Sequence, residues 1–220
     1  MRKESNMKNT NSPLVCVQIL SPFKTNHEQR KIDTITIHHM AGNLTVESCG
    51  KLFQKKDKRA SSNYGIGSDG RIAMYVEEKN ASWCSSSTAN DSRAITIEVA
   101  NCTGKEDGWR ISDKAMKSLI NLIADVCTRN GIKQLLWENN PALIGKVERQ
   151  NITLHRWFKD KDCPGAYIEA NMNNIVKSVN DKLNPPLYRV QVGAFRKKEN
   201  AIALVAKLKE IGIEAIIKEE

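Results

Sequence analysis

Two stretches of the chain alternate apolar and polar residues with a period of two, the pattern of a strand with one face in a core. In residues 33–40, DTITIHHM, Ile35 and Ile37 fall on one face, and Thr34, Thr36 and His38 on the other. In residues 94–100, AITIEVA, Ile95, Ile97 and Val99 share one face, and Ala94, Thr96, Glu98 and Ala100 share the other. Both stretches are rich in the β-branched residues that suit a pleated surface. Helical spacing is clearest over residues 113–129. Its stripe is Ala115, Met116, Leu119, Ile120, Ile123, Val126 and Cys127, with Ser112 as N-cap and Asn130-Gly131 as the stop. A second long helix runs to about residue 183, with Ile168, Met172, Ile175, Val176 and Val179 inward and Pro164 in its first turn. A third, capped by Thr45, runs to about residue 56 with Val46, Cys49, Leu52 and Phe53 at helical spacing.

Shorter strands are expected at residues 14–20, at 64–67 and 71–76 around the turn signal Ser68-Asp69-Gly70, and at 152–155. Residues 1–12, 25–31 and 77–91 read as polar loops, and 134–143 is indecisive. Asn184-Pro185-Pro186 reads as a linker. Strand, helix and strand follow it at 187–192, 198–211 and 214–218, a β-α-β unit too small to hide a core of its own.

Composition narrows the class. The 220 residues are 40% hydrophobic, enough for one medium domain and a small appendage. The formal net charge of +9 favours a polyanionic partner: nucleic acid, an anionic membrane surface or an acidic polymer such as bacterial cell wall. A nucleic-acid role would rest on charge alone, because no recognised motif supports it. Six cysteines are scattered without tight spacing, unlike a secreted disulfide framework, and most are expected to be buried thiols. No apolar run is long enough for a transmembrane segment. The basic N-terminus lacks the cleavage pattern of a signal peptide. The expected localisation is therefore cytoplasmic synthesis, with action only after release.

The candidate chemistry lies in residues 151–165, NITLHRWFKDKDCPG. His155 and Cys163 flank a short loop, with Lys161 two residues before the cysteine. An imidazole and a thiolate so placed can hold one metal ion. Candidates for a third ligand are His27, His38 and His39; only the last two end a strand, and His38 shares the polar face of Thr34 and Thr36. A His38, His155, Cys163 set leaves one tetrahedral position open, as in catalytic zinc sites. Glu98, on the polar face of its strand, would be costly to bury without a task, and it suits a general base. Lys161 suits stabilisation of an oxyanion. A copper electron-transfer site has a similar ligand set, but gives Glu98 and Lys161 nothing to do.

Four blocks taken in order, ITIHHMAG, SSNYGIGSDGRI, AITIEVAN and TLHRWFKDKDCPG, resemble the zinc-dependent N-acetylmuramoyl-L-alanine amidases. These are bacterial autolysins and phage endolysins, related to peptidoglycan recognition proteins; the likeness is greatest to clostridial and phage members. It spans about residues 12–183. It implies an α/β fold, a mixed central β-sheet flanked by helices, and Zn2+ held by His38, His155 and Cys163. It implies hydrolysis of the amide between N-acetylmuramic acid and L-alanine in peptidoglycan, with Glu98 as general base and Lys161 assisting. Some members carry a catalytic tyrosine before the Asp-Gly turn; Ser62 occupies that position here and Tyr64 lies two places on, so Tyr64 receives no role.

Residues 187–220 resemble half of a sporulation-related (SPOR) repeat, a module that binds glycan strands. Three arrangements of the half-unit stay open: pairing across a homodimer, docking on the main domain, or a remnant. The expected organisation is an amidase domain at 1–183, a linker at 184–186 and a wall-binding half-repeat at 187–220. The expected setting is cell wall lysis by a phage lysin or by an autolysin freed at mother-cell lysis. The alternative is a non-catalytic peptidoglycan-binding protein; such relatives typically lose the cysteine ligand that this chain keeps.

Overall fold

The computed structural model describes residues 11–219. The remaining ten N-terminal residues, where the polar leader was expected, lie outside the described part. The chain divides into two compact units, Met1–Pro185 and Pro186–Glu220.

The first unit is built on a six-stranded sheet of order β1-β5-β4-β7-β3-β8, with a separate two-stranded ribbon, β2-β6. The strands are β1 (Val17–Gln18), β2 (Lys24–Thr25), β3 (Thr34–His39), β4 (Tyr64–Ile66), β5 (Ile72–Met74), β6 (Ala81–Ser82), β7 (Ala94–Val99) and β8 (Ile152–Leu154). All pairs in the large sheet are parallel except β4 with β5, which the turn at Gly70 (φ 85°) folds back as a hairpin. The sheet is therefore mixed, as the resemblance implies.

The alternation read from the sequence decides which face goes where. Ile35, Ile37, Ile95, Ile97 and Val99 form one core with the inward stripes of α3 (Asp113–Arg129) and α4 (Ala166–Leu183). On α3 the fully inward residues are Ala115, Leu119, Leu122, Ile123, Val126 and Cys127, with Met116 and Ile120 at the margin. A smaller cluster is formed by Val46 and Cys49 of α1 (Val46–Leu52) with Ala73 and Tyr75. The Thr45 hydroxyl accepts from Ser48 N as expected, but α1 ends four residues early. Past Phe53 come Gln54, Lys55, Lys56 and Lys58, with no apolar side chain to bury, so tertiary packing cannot extend it.

The polar face of the sheet is buried too, under residues 77–91, expected as loop alone. They contain β6 and the short α2 (Thr88–Asp91). The buried hydroxyls are paired: Thr36 Oγ1 with Thr153 Oγ1 at 2.9 Å, Thr96 Oγ1 with Ser82 Oγ at 2.7 Å, and Asn90 Nδ2 donates to Thr36 Oγ1 at 2.9 Å. Arg30, in the expected polar loop before β3, is buried and donates to the carbonyls of Glu78, Asn80, Asp91, Ser92 and Ala94. It ties this covering segment to the start of β7.

Two further expectations need correction. Pro164 precedes α4 instead of opening it: Gly165 is the N-cap at φ 90°, a left-handed conformation that separates proline from helix. Cys49, Cys127 and Cys163 are buried, but Cys16 and Cys102 are exposed and Cys84 is half-buried, all as free thiols.

Among the described residues of the second unit only α5 (Lys198–Glu210) is regular. Residues 187–192 and 214–218 flank it without a strand ladder among the described residues. Their side chains explain this: Leu187, Tyr188, Val190 and Ile216 are 80–92% exposed, so no buried face rewards pairing. Among the described residues no helix is long and apolar enough to cross a membrane.

Candidate metal centre

Register assembles the centre. β3 lies between β7 and β8, and the three run parallel. His38 is directly opposite Glu98. Ile37 is opposite Leu154, so His155, the next residue, emerges beside His38. Three neighbouring strands thus present Glu98, His38 and His155 in a row at their carboxyl ends, where parallel sheets place their ligands. The loop after His155 returns Cys163 to the same spot, its carbonyl accepting from Arg156 N at 3.0 Å.

Ligand atoms of His38, His155 and Cys163 all lie within 4.8 Å of one another. Cys163 Sγ is 3.7 Å from His38 Nδ1, and the two imidazole rings are 4.7 Å apart. His38 is wholly buried, and His155 and Cys163 nearly so. His38 Nε2, His155 Nε2 and Glu98 Oε2 are buried with no hydrogen-bond partner. Orphaned groups of this kind are rare in a folded interior and call for an explanation. Burial lowers His38 well below the ordinary range, helped by the neighbouring His155, and lowers His155 to about 4, helped by Lys161. Both rings are therefore neutral near pH 7, the form that ligates metal. Burial pushes the Glu98 carboxyl up to about 8, against the pull of Lys161 and a Cys84 hydrogen bond. It raises the Cys163 thiol as well, with Glu98 adding to the effect.

Comparison with known proteins gives the context. The N-acetylmuramoyl-L-alanine amidase family model matches residues 28–166, more than half of the chain. The chain belongs to the N-acetylmuramoyl-L-alanine amidase family. A SPOR domain model matches residues 184–220. Among solved structures, the chain is similar to Staphylococcus aureus hydrolase AmiA in complex with its ligand: TM-score 0.58, 14% identity, 80% of this chain and 85% of that one. It is similar to a mutant of PlyL: TM-score 0.53, 12% identity, 74% and 96% covered. It is also similar to the endolysin amidase LysCS of Clostridium intestinale: TM-score 0.50, 16% identity, 73% and 95% covered. At such identities the likeness is one of fold. No curated protein matches the chain.

Within this amidase the donor set suits zinc. Tetrahedral coordination, with zinc–sulfur about 2.3 Å and zinc–nitrogen about 2.0–2.1 Å, separates sulfur from nitrogen by about 3.6 Å. The Cys163–His38 separation is 3.7 Å. With His38 at that spacing through Nδ1, the unsatisfied Nε2 of His155 is free to be the second nitrogen, and two neutral imidazoles with one thiol form a borderline-soft N/S set.

Of the other candidates, His27 is not part of the cluster. Tyr64 is engaged elsewhere: its hydroxyl donates to Glu78 Oε1 at 2.5 Å and accepts from Ser12 N at 2.9 Å. Lys161 is exposed on the loop, and its charge acts on Glu98, His38, His155 and Cys163. Sequence reasoning missed Cys84. Its Sγ donates to Glu98 Oε1 at 3.9 Å, leaving Oε2 as the unpartnered oxygen. With only a serine-rich loop around it, no periodic pattern marked Cys84 as facing the centre.

Proposed function

We propose that the chain is a zinc-dependent N-acetylmuramoyl-L-alanine amidase that hydrolyses the amide between N-acetylmuramic acid and L-alanine in bacterial peptidoglycan. The observation that carries this reading is the buried convergence of His38, His155 and Cys163 beside the free Oε2 of Glu98. Zinc held by those three side chains would supply Lewis-acid polarisation of the amide carbonyl and a lowered pKa for water.

Glu98 Oε2 takes the proton of the attacking water and passes it to the leaving nitrogen as the carbon–nitrogen bond breaks. Burial raises its proton affinity in the metal-free centre, and a carboxyl group that both gains and gives up a proton serves the two halves of that exchange. Cys84 Sγ lies 3.9 Å from Oε1, so Oε2 is the oxygen left free for the proton. The Lys161 ammonium, whose charge acts on Glu98, would stabilise the charge that develops on the carbonyl oxygen. The SPOR unit, Pro186–Glu220, holds the enzyme on glycan strands.

The test is direct. Purified protein is expected to contain about one zinc per chain and to release free L-alanine amino termini from purified wall, read by mass spectrometry. Cys163→Ser is expected to lose both. Reducing sugar ends or other peptide ends as the new products would overturn the bond assignment. Metal and activity retained in Cys163→Ser would overturn the site.

A further inference from the structure

Resting on that zinc reading, we propose that His39 is a positioning residue for the Cys163 ligand. It grips the backbone of the metal loop while its neighbour His38 serves the metal. Successive residues of a strand point to opposite sides. The end of β3 therefore sends one imidazole into the centre and the other to the loop that carries Cys163.

The contacts are specific. His39 Nδ1 accepts from Ala41 N at 2.9 Å. A backbone amide can only donate, so Nδ1 is the acceptor, and the ring hydrogen sits on Nε2. Nε2 contacts the carbonyl oxygen of Asp162, the residue before Cys163, and therefore donates to it. Asn101 Oδ1 lies 3.2 Å from Nδ1 but accepts from Gly42 N at 3.3 Å, while Asn101 Nδ2 donates to Trp109 O at 2.8 Å. Trp109 stacks on the His39 ring with centroids 4.8 Å apart, and its Nε1 donates to Asp162 Oδ2 at 3.0 Å. Asp162 is thus held at its carbonyl by His39 and at its carboxylate by Trp109.

The fit is close. A Cβ on Gly165 would lie 2.7 Å from Trp109 Cβ, so only glycine lets the chain past Cys163 pack on the indole. Lys159, Asp160, Lys161 and Asp162 are all exposed, so nothing buried in that run fixes the loop. The grip on Asp162 supplies what burial does not. A single flat ring that accepts at one nitrogen and donates at the other is what the neutral imidazole offers.

Groups that orient metal ligands typically account for about 10–100-fold in metal affinity. The experiment uses the full chain, with zinc affinity measured by chelator competition and the metal-free melting temperature measured in parallel. His39→Phe keeps a flat ring against Trp109 but removes both hydrogen bonds; His39→Gln restores a donor toward the Asp162 carbonyl. Zinc affinity is expected to fall about 10–100-fold in His39→Phe and to recover most of that loss in His39→Gln. In the cobalt-loaded proteins the thiolate-to-cobalt charge-transfer band should change in His39→Phe and return in His39→Gln. Wild-type affinity and an unchanged band in His39→Phe would overturn the inference. Equal losses in both variants, tracking an equal drop in metal-free stability, would also overturn it, since His39 would then be packing alone. Wild-type protein that binds no zinc would remove the zinc reading itself, a failure distinct from either.

Discussion

Glu98→Gln separates the base from the metal. The isosteric amide keeps the shape of the side chain beside Cys84 but cannot take up a proton. General-base catalysis contributes about 10²–10⁴-fold, or about 2.7–5.4 kcal/mol in the barrier. Glu98 also groups with His38 and Cys84 within ligand distance, but the proposed zinc set is His38, His155 and Cys163, so zinc content is expected to stay at the wild-type level. Stability should move the other way from activity. Oε2 is buried without a partner and burial raises the carboxyl to about 8, so the position is unfavourable for a charge. Relieving about 1 kcal/mol there raises the melting temperature of the metal-free protein by about 2–4 °C in a domain of this size. The assay is cleavage of a soluble muropeptide under single-turnover conditions, with metal analysis on the same preparation and a thermal melt after the metal is stripped. Activity within tenfold of wild type at full zinc occupancy would refute the base role. Lost activity accompanied by a lower melting temperature and lower zinc would show instead that Glu98 holds the centre together.

Other outcomes follow from the same contacts. Lys161→Met is expected to keep zinc yet lose about 10²–10³-fold in turnover, the usual cost of a missing oxyanion stabiliser; turnover within tenfold of wild type would take Lys161 out of the reaction. Arg30→Met strands the five carbonyls that the guanidinium satisfies. It is expected to destabilise the main unit by about 3–5 kcal/mol, read by denaturant unfolding; a loss below about 1 kcal/mol would mean water replaces the guanidinium. Removal of residues 186–220 is expected to weaken co-sedimentation with purified wall and to leave soluble muropeptide cleavage unchanged. A parallel fall in both would make the SPOR unit structural.

What the sequence made legible depended on period. β3, β7 and α3 carry long, unbroken patterns, and α3 begins at Asp113 and ends at Arg129 as its caps indicate. The same alternation put His38 and Glu98 on the polar face, and parallel register then set them opposite each other. Two-residue strands such as β2 and β6 hold no period to read, and they exist because each completes the other. Arg30 sits in a run with no apolar spacing, and only the fold reveals five carbonyls converging on it. Cys84 and His39 were hidden for a related reason: each acts on a residue far away in the chain, Cys84 on Glu98 and His39 on Asp162. A residue that bears a ligand or a proton carries its chemistry in its own side chain and can be nominated from a motif. A residue that holds another one in place is defined by a distance, and that distance exists only once β3, β7 and the 155–163 loop have come together.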